Sequence, residues 1–148
     1  MAEVRPITPD DEADWRRLWA QYLAFYETDL DPAITDHTWA RVCDPASAIR
    51  ALVVTDNGVM AGFAMLVRHQ GTWTRSPICY LEDFCVDETV RGNGLGRALL
   101  DGCLALARAE GWSRFYWHTN ADNHRARALY DSYVAADDNV KYRITLIE

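Results

Sequence analysis

Three short stretches of this sequence hold residue types that could do chemistry. The first is Arg91-Gly92-Asn93-Gly94-Leu95-Gly96-Arg97. Glycines at alternate positions let the backbone curl tightly and expose its N–H groups. Between a strand and a helix, those groups form a cradle for an anion such as a pyrophosphate, and Arg91 and Arg97 could add charge-assisted hydrogen bonds. The same glycines would also suit a turn that merely joins strand to helix. Two common nucleotide-binding patterns fail on spacing. The sequence has no Gly-Lys pair for a Walker loop, and the residue three after Gly94 is Arg97, where a dinucleotide fingerprint needs glycine.

The second stretch is Tyr80-Leu81-Glu82-Asp83-Phe84-Cys85-Val86. Strict alternation would put Glu82 and Asp83 on opposite faces of one strand. A carboxylate in an apolar strand is costly unless it is paired or solvated. One of the two is therefore a candidate general base with a raised pKa, or both lie on an open, wet strand. The third stretch is Asn123-His124-Arg125-Ala126-Arg127-Ala128-Leu129-Tyr130. Asn123 suits a helix N-cap, and Tyr130 follows it by two helical turns, so both can face one side. A phenol there could donate a proton to a leaving group, or simply pack as a core aromatic.

The elements that must position these stretches are legible in outline. Glu3 to Ile7 reads as a strand. Thr8-Pro9-Asp10-Asp11 reads as a capped helix start, with Asp11 closing a capping box. Trp15, Leu18, Trp19, Tyr22 and Tyr26 then recur at helical spacing. The acidic loop Glu27 to Pro32 leads to a short helix around Thr35 to Val42. Ile49 to Thr55 and Val59 to Arg68 form a hairpin about Asn57-Gly58, the preferred two-residue turn. Ile78 to Val86 is a strand. Leu95 to Ala109 is a helix whose one face carries Leu95, Leu99, Cys103 and Leu106. A strand from Arg114 to Thr119, a helix from Asn123 to Tyr133 and a last strand from Val140 to Ile147 complete the order. This predicts an α/β (α+β) fold with a mixed, mostly antiparallel central sheet of six to seven strands, flanked by about four helices.

Length and composition bound the function. With 148 residues, 49% of them hydrophobic, the chain reads as one domain over residues 1–148 with a sizeable core. No apolar run approaches a membrane span, and no apolar stretch follows Met1-Ala2-Glu3, so a cytoplasmic protein is expected. A net charge of -7 disfavours nucleic acid as a partner. Yet residues 91 to 127 hold six Arg against three acids, which suits an anionic ligand there and a cationic one elsewhere. Cys43, Cys79, Cys85 and Cys103 form no C-x-x-C pair, and the histidines lack metal spacing, so core thiols and no metal are expected. Trp73 reads as a lid or interface residue, and His118 as packing on the sheet. Six Trp and an exposed last strand make a homodimer a candidate.

Taken together, Arg91, Gly94 and Gly96 in R-x-x-G-x-G after the strand to Val86, then Asn123 and Tyr130, resemble the GCN5-related N-acetyltransferases over nearly the whole chain. Tyr80-Leu81-Glu82-Asp83-Phe84, with Phe25-Tyr26-Glu27, resembles the diamine branch. Tyr116-Trp117-His118-Thr119 and Leu129-Tyr130-Asp131 resemble the histone/polyamine branch. The resemblance implies acetyl-CoA as co-substrate and an amine acceptor, attacked directly in a ternary complex. Backbone groups of Phe84, Cys85 and Val86 would hold the pantetheine arm and thioester oxygen. Arg91, Gly92, Asn93, Gly94, Leu95, Gly96 and Arg97 would cradle the pyrophosphate, and Asn123 would touch the pantetheine side. Tyr130 would protonate the departing thiolate, Glu82 would accept the amine proton, and Glu27 and Asp83 would hold cationic parts of the acceptor. An alkyl amine is mostly protonated at pH 7, so a polyamine-like cation fits an acidic pocket. Acetylation of protein lysines or N-termini, and an acyl-CoA sensor without catalysis, are the alternatives. One departure stands out. The family usually has a glycine shortly after the tyrosine, and Asp131-Ser132-Tyr133-Val134-Ala135-Ala136 has none.

Overall fold

The computed structural model describes residues 1–90 and 92–148. By their contacts these fall into two compact units, Met1–His118 and Thr119–Glu148.

The first unit is a five-stranded sheet in the order β1-β2-β3-β4-β5. The strands are β1 (Ala2–Pro6), β2 (Ile49–Asp56), β3 (Val59–His69), β4 (Ile78–Val86) and β5 (Arg114–Tyr116). β1 through β4 pair antiparallel, and β5 lies parallel to β4. The hairpin turn forms as its residues require, with φ of 53° at Asn57 and 82° at Gly58. Among the described residues the sheet therefore has fewer strands than the six to seven expected. The predicted strand from Val140 to Ile147 joins no ladder, and β5 stops at Tyr116 rather than Thr119.

Helices cover both faces of the sheet. On one lie α1 (Glu12–Phe25) and α2 (Pro32–Cys43). Trp15, Leu18 and Trp19 of α1 meet Trp39 and Val42 of α2 over Val53, Phe63, Met65 and Cys85 of the sheet. The Trp15 ring lies 5.2 Å from Trp19 and 5.1 Å from Trp39, so three indoles form one slab. Each buries on the order of 200 Å² and outweighs any single surface ion pair here. Trp19 Nε1 donates to Thr35 Oγ1 at 3.1 Å and ties the two helices together. The capping box at Thr8 forms, with Thr8 N donating to Asp11 Oδ2 at 2.8 Å. Asp11 also receives both Arg5 terminal nitrogens, at 2.8 and 2.9 Å, which locks the β1–α1 junction. On the other face α3 (Leu95–Glu110) buries Leu95, Leu99, Leu100, Cys103 and Ala107. Leu106 is only half-buried, one position off that stripe.

The second unit holds α4 (His124–Asp131), capped by Asn123 as expected, and an exposed stretch from 134 to 148 that is neither helix nor strand.

Candidate active site

β4 and β5 form a ladder only from Ile78↔Arg114 to Tyr80↔Tyr116, whereas β3 follows β4 on to Val86. The two strands thus part at Tyr80. A bulge marks the same place. Leu81 pairs with Leu66 and Asp83 with Met65, so Glu82 is the extra residue between them. The bulge interrupts the alternation that would set Glu82 and Asp83 on opposite faces.

The environments of the two carboxylates differ. Glu82 is exposed and Asp83 is half-buried. Burial, together with the nearby Glu82 charge, pushes Asp83 up to about 7, while a hydrogen bond from Tyr22 opposes the shift. Tyr22 was not among the residues singled out in the sequence, where it counted only as a stripe aromatic of α1. It stands at the edge of the indole slab, 5.7 Å from Trp19 and 6.0 Å from Phe63, with Tyr26 at 5.0 Å. Burial, reinforced by the Asp83 charge, raises its own pKa well above the usual phenol, so it serves Asp83 as a neutral donor. Glu27 follows on the surface after α1. It is exposed and adopts φ of 52°, the left-handed position of a helix C-cap. Thr28 N closes that cap on Leu23 O at 2.9 Å.

A second aromatic group lines the strands where they part. The Tyr80 and Tyr116 rings lie 5.0 Å apart across the ladder. His69 Nδ1 lies 3.0 Å from Gln70 O, so in the neutral ring Nδ1 carries the proton and Nε2 accepts from Tyr116 Oη at 2.8 Å. His118 is exposed and meets the Tyr80 hydroxyl at 3.2 Å. Tyr80 feels the charges of both Glu82 and Asp83, so these phenols and carboxylates share one neighbourhood. Trp73, by contrast, is 90% exposed and joins no aromatic partner among the described residues.

The glycine loop leaves β4 through Asp87, which is buried and heavily bonded. It accepts from Arg17 Nη1 at 2.9 Å, Thr89 N at 3.0 Å, Thr89 Oγ1 at 2.9 Å and Gln21 Nε2 at 3.4 Å. Burial alone would raise its pKa, but these donors outweigh that and hold it at about 2. Beyond it Gly92 has φ of 93° and Gly94, the N-cap of α3, φ of 76°. A Cβ at either would meet no atom within 4 Å, so the backbone angle requires glycine there while the space above it lies open. Leu95 is buried and draws the loop onto the core. Asn93 Nδ2 donates to Val90 O at 3.1 Å. The first N–H groups of α3 have no partner within the helix, as at any helix start. Gly96 is half-buried in the first turn and Arg97 is exposed. The expectation for Arg91 lies outside the described residues.

Phe84 and Val86 are half-buried on the stretch of β4 beyond the parting point. Cys85 between them is buried, with its Sγ 3.8 Å from Leu18 O. In the second unit, Asn123 Oδ1 accepts from Ala126 N at 3.3 Å and Nδ2 donates to Thr119 Oγ1 at 3.2 Å. The side chain is thus engaged in capping α4. Tyr130 is half-buried two turns along.

Comparison with known proteins fits this geometry to a family. The Acetyltransferase (GNAT) family profile matches residues 12–133. The chain belongs to that family. It is 33% identical over 142 residues to the D-amino-acid N-acetyltransferase HPA3 of Saccharomyces cerevisiae, covering 95% of this chain and 88% of that protein. Among solved structures it resembles a ribosomal-protein-alanine N-acetyltransferase from Brucella melitensis biovar Abortus, with TM-score 0.83, 21% identity and coverage of 99% and 100% of the two chains. It also resembles an aminoglycoside acetyltransferase from a soil metagenome, with TM-score 0.81, 14% identity and coverage of 99% and 97%. At such identities these likenesses establish the fold. The chain is thus a GNAT N-acetyltransferase, and enzymes of this family use acetyl-CoA as co-substrate. Among the described residues no helix is long and apolar enough to cross a membrane, and no group of His, Cys, Asp and Glu is set to hold a metal.

Proposed function

We propose that this enzyme acetylates a small primary amine that enters as an ammonium beside Asp83 and Glu82, and that residues 1–148 form one catalytic domain. The observation that carries the reading is Asp83, held near neutrality by burial and by Glu82 while bonded to Tyr22. A base must take the ammonium proton before the nitrogen can attack, and it works best with a pKa near the working pH. The family resemblance implies that role for Glu82 and the cation-binding role for Asp83. Their environments favour the reverse. Exposed Glu82, with Glu27 and the ring faces of Tyr22, Tyr26 and Tyr80, suits holding the cation.

Acetyl-CoA supplies the activated acetyl group. The left-handed glycines and the start of α3 fit its pyrophosphate, and the parting of β4 from β5 suits a linear arm along Phe84, Cys85 and Val86. Asn123 and Tyr130 keep the roles that the family resemblance implies, a pantetheine contact and the proton for the departing thiolate. Cys85 faces α1 and takes no part, consistent with direct transfer without an acyl-cysteine.

For the acceptor, the carboxylate pair and the acidic loop from Glu27 to Asp31 favour a polyamine-like cation. A D-amino acid is the second reading, favoured by the Saccharomyces relative. The test is acetyl-CoA turnover, followed by free-thiol release, over a panel of polyamines and D-amino acids. Activity on either series with an apparent pKa near 7 in kcat/KM, absent in Asp83→Asn, is the expected result. Acetyl-CoA binding without thiol release on any amine would instead indicate a sensor. Turnover that is indifferent to Asp83→Asn would end its assignment as base.

A further inference from the structure

The rings of His69, Tyr116 and His118 have no part in the acetyl transfer as described so far, yet they join Tyr80 in one group. The register explains how the group assembles. Asp83 pairs with Met65 and Tyr80 with Val67, and Met65 and Val67, two apart on β3, share a face. The bulge thus sets Tyr80 and Asp83 on one face although they are three apart. Tyr80 in turn pairs with Tyr116 on β5. His69 ends β3, and His118 follows Tyr116 by two residues. Ring centroids lie 5.8 Å apart from His69 to Tyr116, 5.0 Å from Tyr116 to Tyr80 and 5.5 Å from Tyr80 to His118. None of the four belongs to the core beneath α1 and α2, and the tyrosines are half-buried while the histidines are exposed. They form an open aromatic shelf that starts beside the two carboxylates.

Resting on the reading that the amine enters beside Asp83 and Glu82, we propose that this shelf receives the acceptor's other substituent and selects an aromatic ring there. Four rings suit two kinds of partner, a second ammonium over their faces or a further ring among them. The surroundings decide between them. Arg114 lies two residues before Tyr116 on β5, and its charge acts on the Tyr116 phenol more strongly than that of Glu82 does. A cation on the shelf therefore meets a like charge, and Glu82 and Glu27 remain the place for a second ammonium. The polar tips of the shelf are also engaged. Tyr116 Oη donates to His69 Nε2 at 2.8 Å, and the Tyr80 hydroxyl meets His118 Nδ1 at 3.2 Å. What stays open is ring surface, which a planar apolar group covers without breaking a hydrogen bond. The geometry is that of aromatic packing. The planes of His69 and Tyr116 stand at 88°, as do those of Tyr116 and His118, while Tyr80 and Tyr116 are tilted by 31°. One more ring would continue this series at the usual centroid spacing of about 4.5–7 Å. Tyr116 and His69 are then specificity-determining residues. They touch no reacting atom and set which amine is held.

Thiol release with matched amines tests the shelf on the full chain. Phenethylamine is compared with butylamine, and D-phenylalanine with D-alanine. The expected result is a kcat/KM about thirtyfold or more higher for the ring-bearing member, expressed mainly in KM. Cyclohexylethylamine, equally apolar but not planar, should fall between phenethylamine and butylamine. Tyr116→Leu should cut the preference to within about threefold, while Tyr116→Phe, which keeps the ring, should retain most of it. His69→Ala, at an exposed position outside the core, should reduce it several-fold and does not depend on how well the Tyr116 variants fold. A preference untouched by both Tyr116→Leu and His69→Ala would overturn the proposal, and a cyclohexyl amine turned over as well as phenethylamine would overturn selection for an aromatic ring. If butylamine or D-alanine is acetylated through Asp83 with no preference for its ring-bearing partner, the shelf fails alone. If no amine is turned over, the acceptor reading fails and the shelf with it.

Discussion

Asp87 and Glu27 are both acids at the exit of a regular element, and they are held in opposite ways. Asp87, after β4, is buried under donors from Arg17, Gln21 and Thr89 and fixes the path into the glycine loop. Glu27, after α1, is exposed in a left-handed backbone conformation, and no side-chain hydrogen bond holds it among those described. One exit leads to the side proposed for the coenzyme, the other to the side proposed for the acceptor. A cradle for an invariant ligand gains from rigidity, because ordering it in advance removes the entropy of doing so on binding. A surface that must distinguish one amine from another is built from side chains that can be exchanged without disturbing the fold.

Four substitutions would break or sharpen this contrast. The largest effect is expected from Asp83→Asn, which should lower kcat by about 10²- to 10⁴-fold and leave acetyl-CoA affinity, read by calorimetry, within a factor of about two. The same variant carries a stability signature. The folded-state pKa of Asp83 is raised to about 7 from 3.8, so its contribution to stability is complete below about pH 4 and is lost as pH rises through 7. The permanently neutral Asn should therefore be more stable than wild type at pH 8, by up to about 4 kcal/mol, with the gap closing toward pH 4 in thermal melts. Next comes Asp87→Ala, which takes from Arg17 its buried carboxylate partner and from Thr89 its acceptor, and should cost about 2–3 kcal/mol in urea unfolding and weaken acetyl-CoA binding as well. If stability fell and binding did not, the loop would not depend on its anchor. Gly94→Ala should cost about 1–2 kcal/mol by forcing a Cβ into left-handed backbone, and should weaken acetyl-CoA several-fold with the amine KM unchanged. Glu27→Gly is the mildest and has the opposite sign for stability. Relieving the left-handed position should raise stability by about 0.5–1 kcal/mol. At the same time the KM for a polycationic amine should rise a few-fold, more at low salt than at high. An unchanged KM would remove Glu27 from the acceptor surface.

What the sequence made legible was local. The Thr8–Asp11 box, the Asn57-Gly58 turn, the glycine start of α3 and the Asn123 cap all lie within a few residues and repeat well-defined backbone chemistry. The strand Ile78 to Val86 and the pairing of two acids on it were also readable. What escaped depends on register and on distant partners. The bulge at Glu82 exists because β3 slips by one residue at Met65 and Leu66, a fact of pairing that alternation along β4 alone does not contain. Tyr22 bonds to a carboxylate 61 positions away, and His69 to a tyrosine 47 away. The strand expected at Val140–Ile147 has the right alternation, but among the described residues that stretch takes up no strand, because a pattern alone supplies no ladder.

The four cysteines take on a meaning of their own once the substrate is a thioester. Any ionised thiol near such a substrate competes with the amine for its acyl group. Burial pushes Cys79 and Cys103 up to about 12 and raises Cys43 as well, and Cys85 is turned into the helix-covered face of the sheet. At neutral pH almost none of Cys79 or Cys103 is thiolate. The fold thus insulates the enzyme from acylating itself at its buried cysteines, and alkylating agents should spare Cys79, Cys85 and Cys103 until the protein unfolds, while half-buried Cys43 reacts first.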